Sequence, residues 1–305
     1  MVQVGPDGFP IPTLYKGVVK LMQNPERVRR LIIESVADLD MEGRTVLTEA
    51  ASGNYLVTPV LAAAAGARVY AVADELGNGN AKDAEVSLLA FAEMCGVQDR
   101  IEVVRSRSRM IVEQADIITN LGAVRPIDKS LIDMMKPGAL ILCMHEEWEK
   151  REVDVDMKAA KAAKIQVLYV AENELFGYCG LLCMKILFES GVEVYKNRLL
   201  VLGDGKYGKT IYKCLKAITE DVRLVSSGPW VRYLDKCDAV VVADFENTVE
   251  VSDDIGIPVV RIVENGRMTN TLGYLGPKPV IDIHAEGFRV AMKALTPPAP
   301  TKQKE

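Results

Sequence analysis

The sequence predicts an α/β protein with two open parallel sheets in tandem, joined by an apolar helix and preceded by an N-terminal helical segment. First, short β-branched runs alternate with helical apolar patterns over residues 45–174. Second, the same alternation resumes over residues 197–295. Third, a uniformly apolar helix pattern (residues 175–192) lies in the connection 175–196. Strands that alternate with helices form parallel sheets, so we expect one α/β domain on each side of this helix.

The first domain follows an N-terminal segment, residues 1–44. Residues 1–14 are rich in Gly and Pro, and a helical pattern follows from Tyr15, with Asn24-Pro25 typical of a helix start. The domain itself has strand patterns at 45–50, 68–73, 100–104, 117–120, 139–144 and 166–170. Helix patterns lie between several of them, at 56–65, 83–94, 131–135 and 155–163.

The second domain repeats this architecture over fewer residues. Its predicted strands are 199–202, 222–225, 239–243, 259–263 and 280–283, and its predicted helices are 209–217 and 287–294. The last residues, 296–305, are rich in Pro and Lys, and we expect them to be disordered.

Composition excludes several classes of function. The chain has 305 residues, of which 49% are hydrophobic and 26% charged, and its net charge of −5 gives no attraction for nucleic acid or a membrane surface. There is neither a membrane-length apolar run nor a signal-peptide pattern, so we expect a cytoplasmic protein. Six scattered cysteines and two histidines predict no metal site, and Cys179 and Cys183 are expected to be buried free thiols.

A glycine-rich turn follows the first strand of the second domain. After the apolar strand 199–202, Gly203, Gly205 and Gly208 have the spacing G-x-G-x-x-G and lead into a helix pattern. This arrangement presents backbone N–H groups and a helix N-terminus to a phosphate. We therefore predict that the three glycines, with Lys206 in the turn, bind a dinucleotide in a Rossmann-like domain.

The same turn also fits a nucleotide triphosphatase fingerprint, G-x-x-x-x-G-K-T, which ends in Lys209 and Thr210. In that alternative Lys209 contacts the phosphates, Thr210 binds Mg²⁺ and Asp244 is the second metal partner. Few residues follow the turn for a complete domain of that class, which favours the dinucleotide interpretation.

A dinucleotide turn predicts an acidic residue about 20 positions further on, whose carboxylate accepts a hydrogen bond from the ribose 2′-hydroxyl. Ser226 and Ser227 stand there instead, and Arg232 lies nearby. Either the 2′-phosphate of NADP is preferred, or no dinucleotide binds and the turn holds another phosphate or a carboxylate.

The first domain offers an alternative cofactor site. Strand 45–50 is followed by the turn Ala51-Ser52-Gly53-Asn54, and strand 68–73 is followed by Asp74 and Glu75. Together with 99–104 and 135–139, this stretch resembles the class I S-adenosylmethionine-dependent methyltransferases, although their G-x-G turn is replaced here. The resemblance implies S-adenosylmethionine bound by Glu49, Gly53, Asp74 and Glu75.

From residue 115 the resemblance changes. Residues 115–120, 125–128, 134–139 and 151–156 resemble the NAD domain of D-2-hydroxyacid dehydrogenases. The overall plan also resembles S-adenosylhomocysteine hydrolase, which has two α/β domains with ligand held between them. These resemblances imply an NAD-linked enzyme with its site in the interdomain cleft. The Arg-Gly pair that the dehydrogenases carry after the fifth strand is replaced here by residues 144–148.

Both histidines follow predicted strands at the edge where open α/β sheets bind ligands. His145 follows strand 139–144, and the adjacent Glu146 and Glu147 are expected to hold its pKa near neutrality for acid–base work. His284 ends the predicted strand 280–283. Residues 172–174, Glu-Asn-Glu, end the next strand on the edge that carries His145.

We therefore expect an oxidoreductase that uses NAD or NADP on a small carbonyl or hydroxy substrate. His145 or His284, with Glu146, would donate a proton to the developing alkoxide. A methyltransferase that uses S-adenosylmethionine is the second hypothesis, and a non-catalytic tandem Rossmann binding protein is the third. The expected partners are a small-molecule substrate and, through the apolar helix, a second copy in a homodimer.

Overall fold

The computed structural model describes residues 24–74, 80–171, 176–226, 228–244, 249–264, 267–269 and 272–296. Contacts divide the chain into a first unit, Met1–Ala171 with Val280–Glu305, and a second unit, Glu172–Pro279. Each unit contains a parallel sheet with helices, which confirms the predicted fold class.

The first unit is built on a six-stranded sheet of parallel strands in the order β3-β2-β1-β4-β5-β6. This order is that of a Rossmann domain, and its direction reverses between β1 and β4. The strands are β1 (Thr45–Glu49), β2 (Arg68–Val72), β3 (Ile101–Val104), β4 (Ile117–Thr119), β5 (Leu140–Cys143) and β6 (Gln166–Tyr169).

Helices cover both faces of this sheet. They are α1 (Pro25–Ser35), α2 (Val57–Ala64), α3 (Ala81–Met94), α4 (Arg109–Val112), α5 (Lys129–Ile132) and α6 (Met157–Ala162). Neighbouring strand residues point to opposite faces, so Val46 packs with α1 to α3 and Leu47 packs with α4 to α6. Asn24 caps α1 as the sequence suggested, because its side chain accepts from the backbone N–H of Arg27 at 3.1 Å.

The last helix corrects the prediction for residues 280–283. These residues do not form a strand, because they lie within α9 (Pro277–Leu295). Val280, Ile281 and Phe288 are buried in the same core as Val28 and Ile32 of α1. The predicted strand belonged to the second domain, whereas the contacts of this segment lie in the first unit. The apolar residues of this segment lie at helical spacing and pack against the apolar core of the first unit. This packing outweighs the strand preference of the β-branched run.

The second unit has a four-stranded parallel sheet in the order β10-β9-β7-β8. Its strands are β7 (Leu199–Leu202), β8 (Val222–Val225), β9 (Ala239–Val242) and β10 (Val259–Arg261). A short antiparallel pair, β11 (Val263–Glu264) and β12 (Arg267–Met268), follows and was not predicted. The helices are α7 (Phe176–Glu189) and α8 (Lys206–Lys216), with a 3₁₀ helix at Trp230–Lys236.

Helices α7 and α8 pack closely within the second unit. A Cβ on Gly180 would lie 2.5 Å from Cβ of Cys214, so α7 needs a glycine where the two helices touch. Cys179 and Cys183 are buried on α7, and all six cysteines are free, which confirms the expected free thiols. None of the helices in the described ranges is long and apolar enough to cross a membrane.

Candidate functional site

The glycine-rich turn of the second unit connects β7 directly to α8. Helix α8 begins at Lys206, three residues before the predicted start, and Gly205 is its N-cap without a side-chain cap. The turn lies at the carboxyl ends of β7 and β9, where the strand order of this sheet reverses. Open α/β sheets bind ligands at this kind of switch point, and the exposed Lys206 lies in the first turn of the helix.

The three glycines of the turn have different surroundings. Gly203 has φ +102°, and a Cβ there would lie 2.7 Å from the carbonyl oxygen of Ala243. A Cβ on Gly208 would lie 1.7 Å from the carbonyl oxygen of Gly203. Around Gly205, in contrast, nothing lies within 4 Å of the Cβ position. Gly203 and Gly208 are thus needed for folding, while Gly205 leaves open space above its backbone.

This geometry contradicts the triphosphatase alternative. Lys209 donates from its backbone N–H to the carbonyl oxygen of Gly205 at 3.0 Å, so it lies inside α8. The Thr210 hydroxyl donates to the carbonyl oxygen of Lys206 at 2.9 Å, also within the helix. Asp244 accepts from the backbone N–H of Val249 at 2.8 Å. The loop before the helix is therefore too short to wrap around a triphosphate.

The end of β8 lies beside the turn. The backbone N–H of Gly203 donates to the carbonyl oxygen of Val225 at 2.9 Å, so Ser226 follows at the same edge and is exposed. Ser227 lies outside the described residues.

In the first unit, the candidate residues for S-adenosylmethionine lie at the carboxyl ends of β1 and β2. Glu49 is 5% exposed and accepts from the backbone N–H of Ala123 at 3.2 Å, and burial raises the pKa of its carboxyl. Gly53 has φ +62° with no atom within 4 Å of its Cβ position. Asp74 is half-buried, and Glu75 lies outside the described residues, as do residues 172–174.

Next to Glu49, a buried polar cluster connects β4, β5 and the segment before α6. The Asn120 side chain accepts from the backbone N–H of Met144 at 2.8 Å. Asp154, 5% exposed, accepts from the Arg125 guanidinium at 3.2 Å. Sequence reasoning missed these residues as site candidates, although Asn120 is the last residue of a predicted strand, at the ligand-binding edge.

His145 lies at the end of β5, as predicted, but its electrostatic surroundings differ. Its Nδ1 is 2.9 Å from the carbonyl oxygen of Glu146, which must accept, so Nδ1 carries the proton. Its Nε2 is buried and has no hydrogen-bond partner among the described residues. Burial lowers the pKa of the imidazole, while the Glu146 carbonyl and the Asp154 carboxylate oppose that shift. The expected pKa near neutrality is thus corrected downward.

The glutamates next to His145 have other roles than expected. The buried Glu146 carboxylate accepts from Nε1 of Trp148 at 2.6 Å. Burial, followed by the charge of Glu146, raises the pKa of Glu149 to about 7. Sequence reasoning missed Glu149, and the signal was the crowding of three glutamates within residues 146–149.

His284 does not end a strand at the sheet edge. It lies inside α9, 3% exposed, and its Nδ1 is 2.6 Å from the Thr58 hydroxyl. Burial lowers its pKa to about 3, so the imidazole is neutral at pH 7. Its surroundings are those of a histidine in a protein core. The prediction that it acts in catalysis depended on a strand end at 283, and this strand does not form.

The comparisons with known proteins agree with this architecture. The structure is similar to a dipicolinate synthase protein from Bacillus halodurans, with a TM-score of 0.56 and 11% identity over 85% of this chain and 100% of that chain. A dipicolinate synthase protein from Bacillus subtilis gives a TM-score of 0.54 and 12% identity over 84% of this chain and 98% of the other.

A weaker likeness is to NAD⁺-bound 3-phosphoglycerate dehydrogenase from Entamoeba histolytica. Its TM-score is 0.40, with 11% identity over 83% of this chain and 94% of the other. No protein-family model and no curated protein matches the sequence. The chain is thus a tandem Rossmann-type protein, and at these identities the likenesses show the fold alone.

Proposed function

We propose that this protein is an NAD(P)-linked oxidoreductase that acts on a small carbonyl or hydroxy substrate. The observation that supports the proposal most is the difference among the three glycines of the second unit. Gly203 and Gly208 pack too closely for a side chain, and Gly205 leaves its backbone open. A dinucleotide turn requires these three properties, because the pyrophosphate must approach the backbone at the middle glycine.

The residues of the turn fit a pyrophosphate. Backbone N–H groups at the start of α8 point toward the edge of the sheet, and the helix dipole favours a negative charge there. Lys206 adds a positive charge in the first helical turn. When bound, the nicotinamide would supply the hydride acceptor or donor.

We infer that His145, in the first unit, can exchange a proton with a substrate hydroxyl. Its Nδ1 keeps a proton on the Glu146 carbonyl, so the neutral ring offers Nε2 as a proton acceptor. A buried acceptor without a partner is a position that a substrate hydroxyl would satisfy. Nε2 would take the proton of that hydroxyl, and the imidazolium would return it to the oxygen. The Asp154 carboxylate favours the imidazolium that forms in between.

Calorimetric titration with NAD⁺ and NADP⁺ tests the proposal. The wild-type protein should bind at least one of them, and Gly205→Ala should lose about tenfold or more in affinity, because the methyl group occupies the space of the pyrophosphate. Gly177→Ala in α7 is the matched control, since nothing lies within 4 Å of that Cβ position either. Equal binding by wild type and Gly205→Ala would contradict the proposed cofactor site.

A methyltransferase is the second candidate, with S-adenosylmethionine on the first unit. Its support is the complete Rossmann strand order, with Asp74 after β2 and the open Gly53 after β1. An acid after the second strand accepts from ribose hydroxyls. Asp74→Ala or Glu49→Ala should then remove S-adenosylmethionine binding and Gly205→Ala should not. A protein that binds neither cofactor would instead fit the non-catalytic binding protein.

A further inference from the structure

We propose that the second unit selects NADP over NAD, with the 2′-phosphate held by Arg223 and Arg232, which both lie against the ring of Tyr233. The inference rests on the proposed function, because it specifies the cofactor of the same glycine-rich turn. The ligand group is a phosphomonoester, which arginines bind better than any other side chain does.

The place of this site follows from the pairing of β7 with β8. Leu202 pairs with Val225, and the backbone N–H of Gly203 donates to the Val225 carbonyl. The first residue beyond β8, Ser226, therefore lies beside the turn. In NAD-binding domains an acid at this place accepts from the ribose 2′-hydroxyl and would repel a 2′-phosphate. Ser226 is uncharged and exposed, so that repulsion is absent.

Two guanidinium groups lie against one aromatic ring, and one of them belongs to a residue of β8. Cζ of Arg223, in β8, lies 4.5 Å from the centroid of the Tyr233 ring, and Cζ of Arg232 lies 4.8 Å from it. Arg232 also donates to the Tyr233 hydroxyl at 2.7 Å. The hydrogen bond from Arg232, together with Arg223, lowers the pKa of Tyr233. The ring thus holds two positive groups close to one hydroxyl.

The charges of this pair are not balanced by the part of the chain that the structure describes. No carboxylate of those residues lies within 4.0 Å of the Arg223 or Arg232 guanidinium. Arg198 in the same unit, in contrast, lies 2.6 Å from the Asp238 carboxylate. Two adjacent positive charges repel each other, and a dianion that contacts both removes this cost. A 2′-phosphate carries that charge when it is fully ionised.

The experiment compares the affinities of NADP⁺, NAD⁺ and inorganic phosphate by calorimetric titration. Wild type should bind NADP⁺ at least about tenfold more tightly than NAD⁺, the discrimination expected for charge-assisted hydrogen bonds. Arg223→Gln and Arg232→Gln should each remove most of that preference while NAD⁺ affinity stays unchanged. Ser226→Asp should reverse the preference. Lys236→Gln, an exposed lysine in the same 3₁₀ helix, is the control for lost net charge.

The outcomes separate this inference from the proposed function. Equal affinity for NAD⁺ and NADP⁺ would overturn the inference and leave the dinucleotide site in place. Phosphate binding that depends on the two arginines, without a preference for NADP⁺, would overturn it as well, because the arginines would then serve a free anion. If neither dinucleotide binds, both proposals fail.

Discussion

The Thr58 hydroxyl and Nδ1 of His284 lie 2.6 Å apart although they are 226 positions apart in the sequence. Thr58 lies at the start of α2, and His284 lies on α9, whose apolar side chains complete the core of the first unit. The end of the described chain is therefore part of the first Rossmann sheet's packing. The imidazole of His284 is buried in this core, and this burial lowers its pKa.

We predict that His284 makes the protein sensitive to acid. Its pKa is about 3 in the folded state and 6.5 in its unperturbed state, so between these values the unfolded chain binds a proton that the folded chain does not. Stability is then lost as pH falls from 6.5 toward 3, by up to about 1.4 kcal/mol per pH unit. Urea unfolding of wild type and His284→Gln at pH 7, 6 and 5 measures the slope. The slope of the variant should be smaller, and equal slopes would contradict the assignment.

We predict that two glycine variants of the turn lose stability to different extents. Gly208→Ala places a methyl group against the Gly203 carbonyl oxygen, at a distance of 1.7 Å before any relaxation. It should destabilise the second unit by about 3 kcal/mol, the upper range for overpacking. Gly205→Ala should cost about 1 kcal/mol or less, since Gly205 has φ −59° and open space. Thermal unfolding of both variants checks this, and similar Tm values would contradict the distinction.

We predict that Glu149→Gln stabilises the protein at alkaline pH. The folded carboxyl has a pKa of about 7 against 4.5 in its unperturbed state, so it holds a proton that the unfolded chain releases between these values. Wild-type stability therefore falls as pH rises from 4.5 to 7, and the neutral amide avoids a loss of about 3 kcal/mol at most. Denaturant unfolding at pH 5 and pH 8 measures the gain, which should appear at pH 8 alone. Glu147→Gln, whose side chain is 71% exposed, is the control.

We predict that Asp154 raises the proton affinity of His145. Its carboxylate opposes the effect of burial on the His145 pKa, so Asp154→Asn should lower that pKa further. Proton NMR resolves the titration well, because the chain has two histidines and His284 serves as an internal reference. A His145 pKa that stays the same or rises would contradict the role given to Asp154.

Much of the fold could be predicted because local patterns and packing agree. Strand β7 has the predicted bounds, since a buried parallel strand is a continuous apolar run between turn residues. The glycine-rich turn was also recognisable, because Gly203 and Gly208 meet steric requirements that only glycine satisfies. In these segments the short-range signal and the long-range contacts favour the same structure.

The rest depends on contacts between distant residues. Val280, Ile281 and Ile283 have the local preference of a strand, and only the first unit's core makes them part of a helix. Asn120 and Asp154 meet because β4, β5 and the segment before α6 are neighbours, which no sequence spacing reveals. The raised pKa of Glu149 likewise arises from burial.

The most direct test of the central claim is a thermal-shift panel with NAD, NADP, S-adenosylmethionine, S-adenosylhomocysteine and Mg-ATP at millimolar concentrations. A ligand at about 100 times its Kd stabilises the folded state by about 2.7 kcal/mol, enough to raise Tm by several degrees. We predict a shift with NADP, a smaller one with NAD and none with the other three ligands. A shift with S-adenosylmethionine or S-adenosylhomocysteine alone, or no shift at all, would contradict the oxidoreductase assignment.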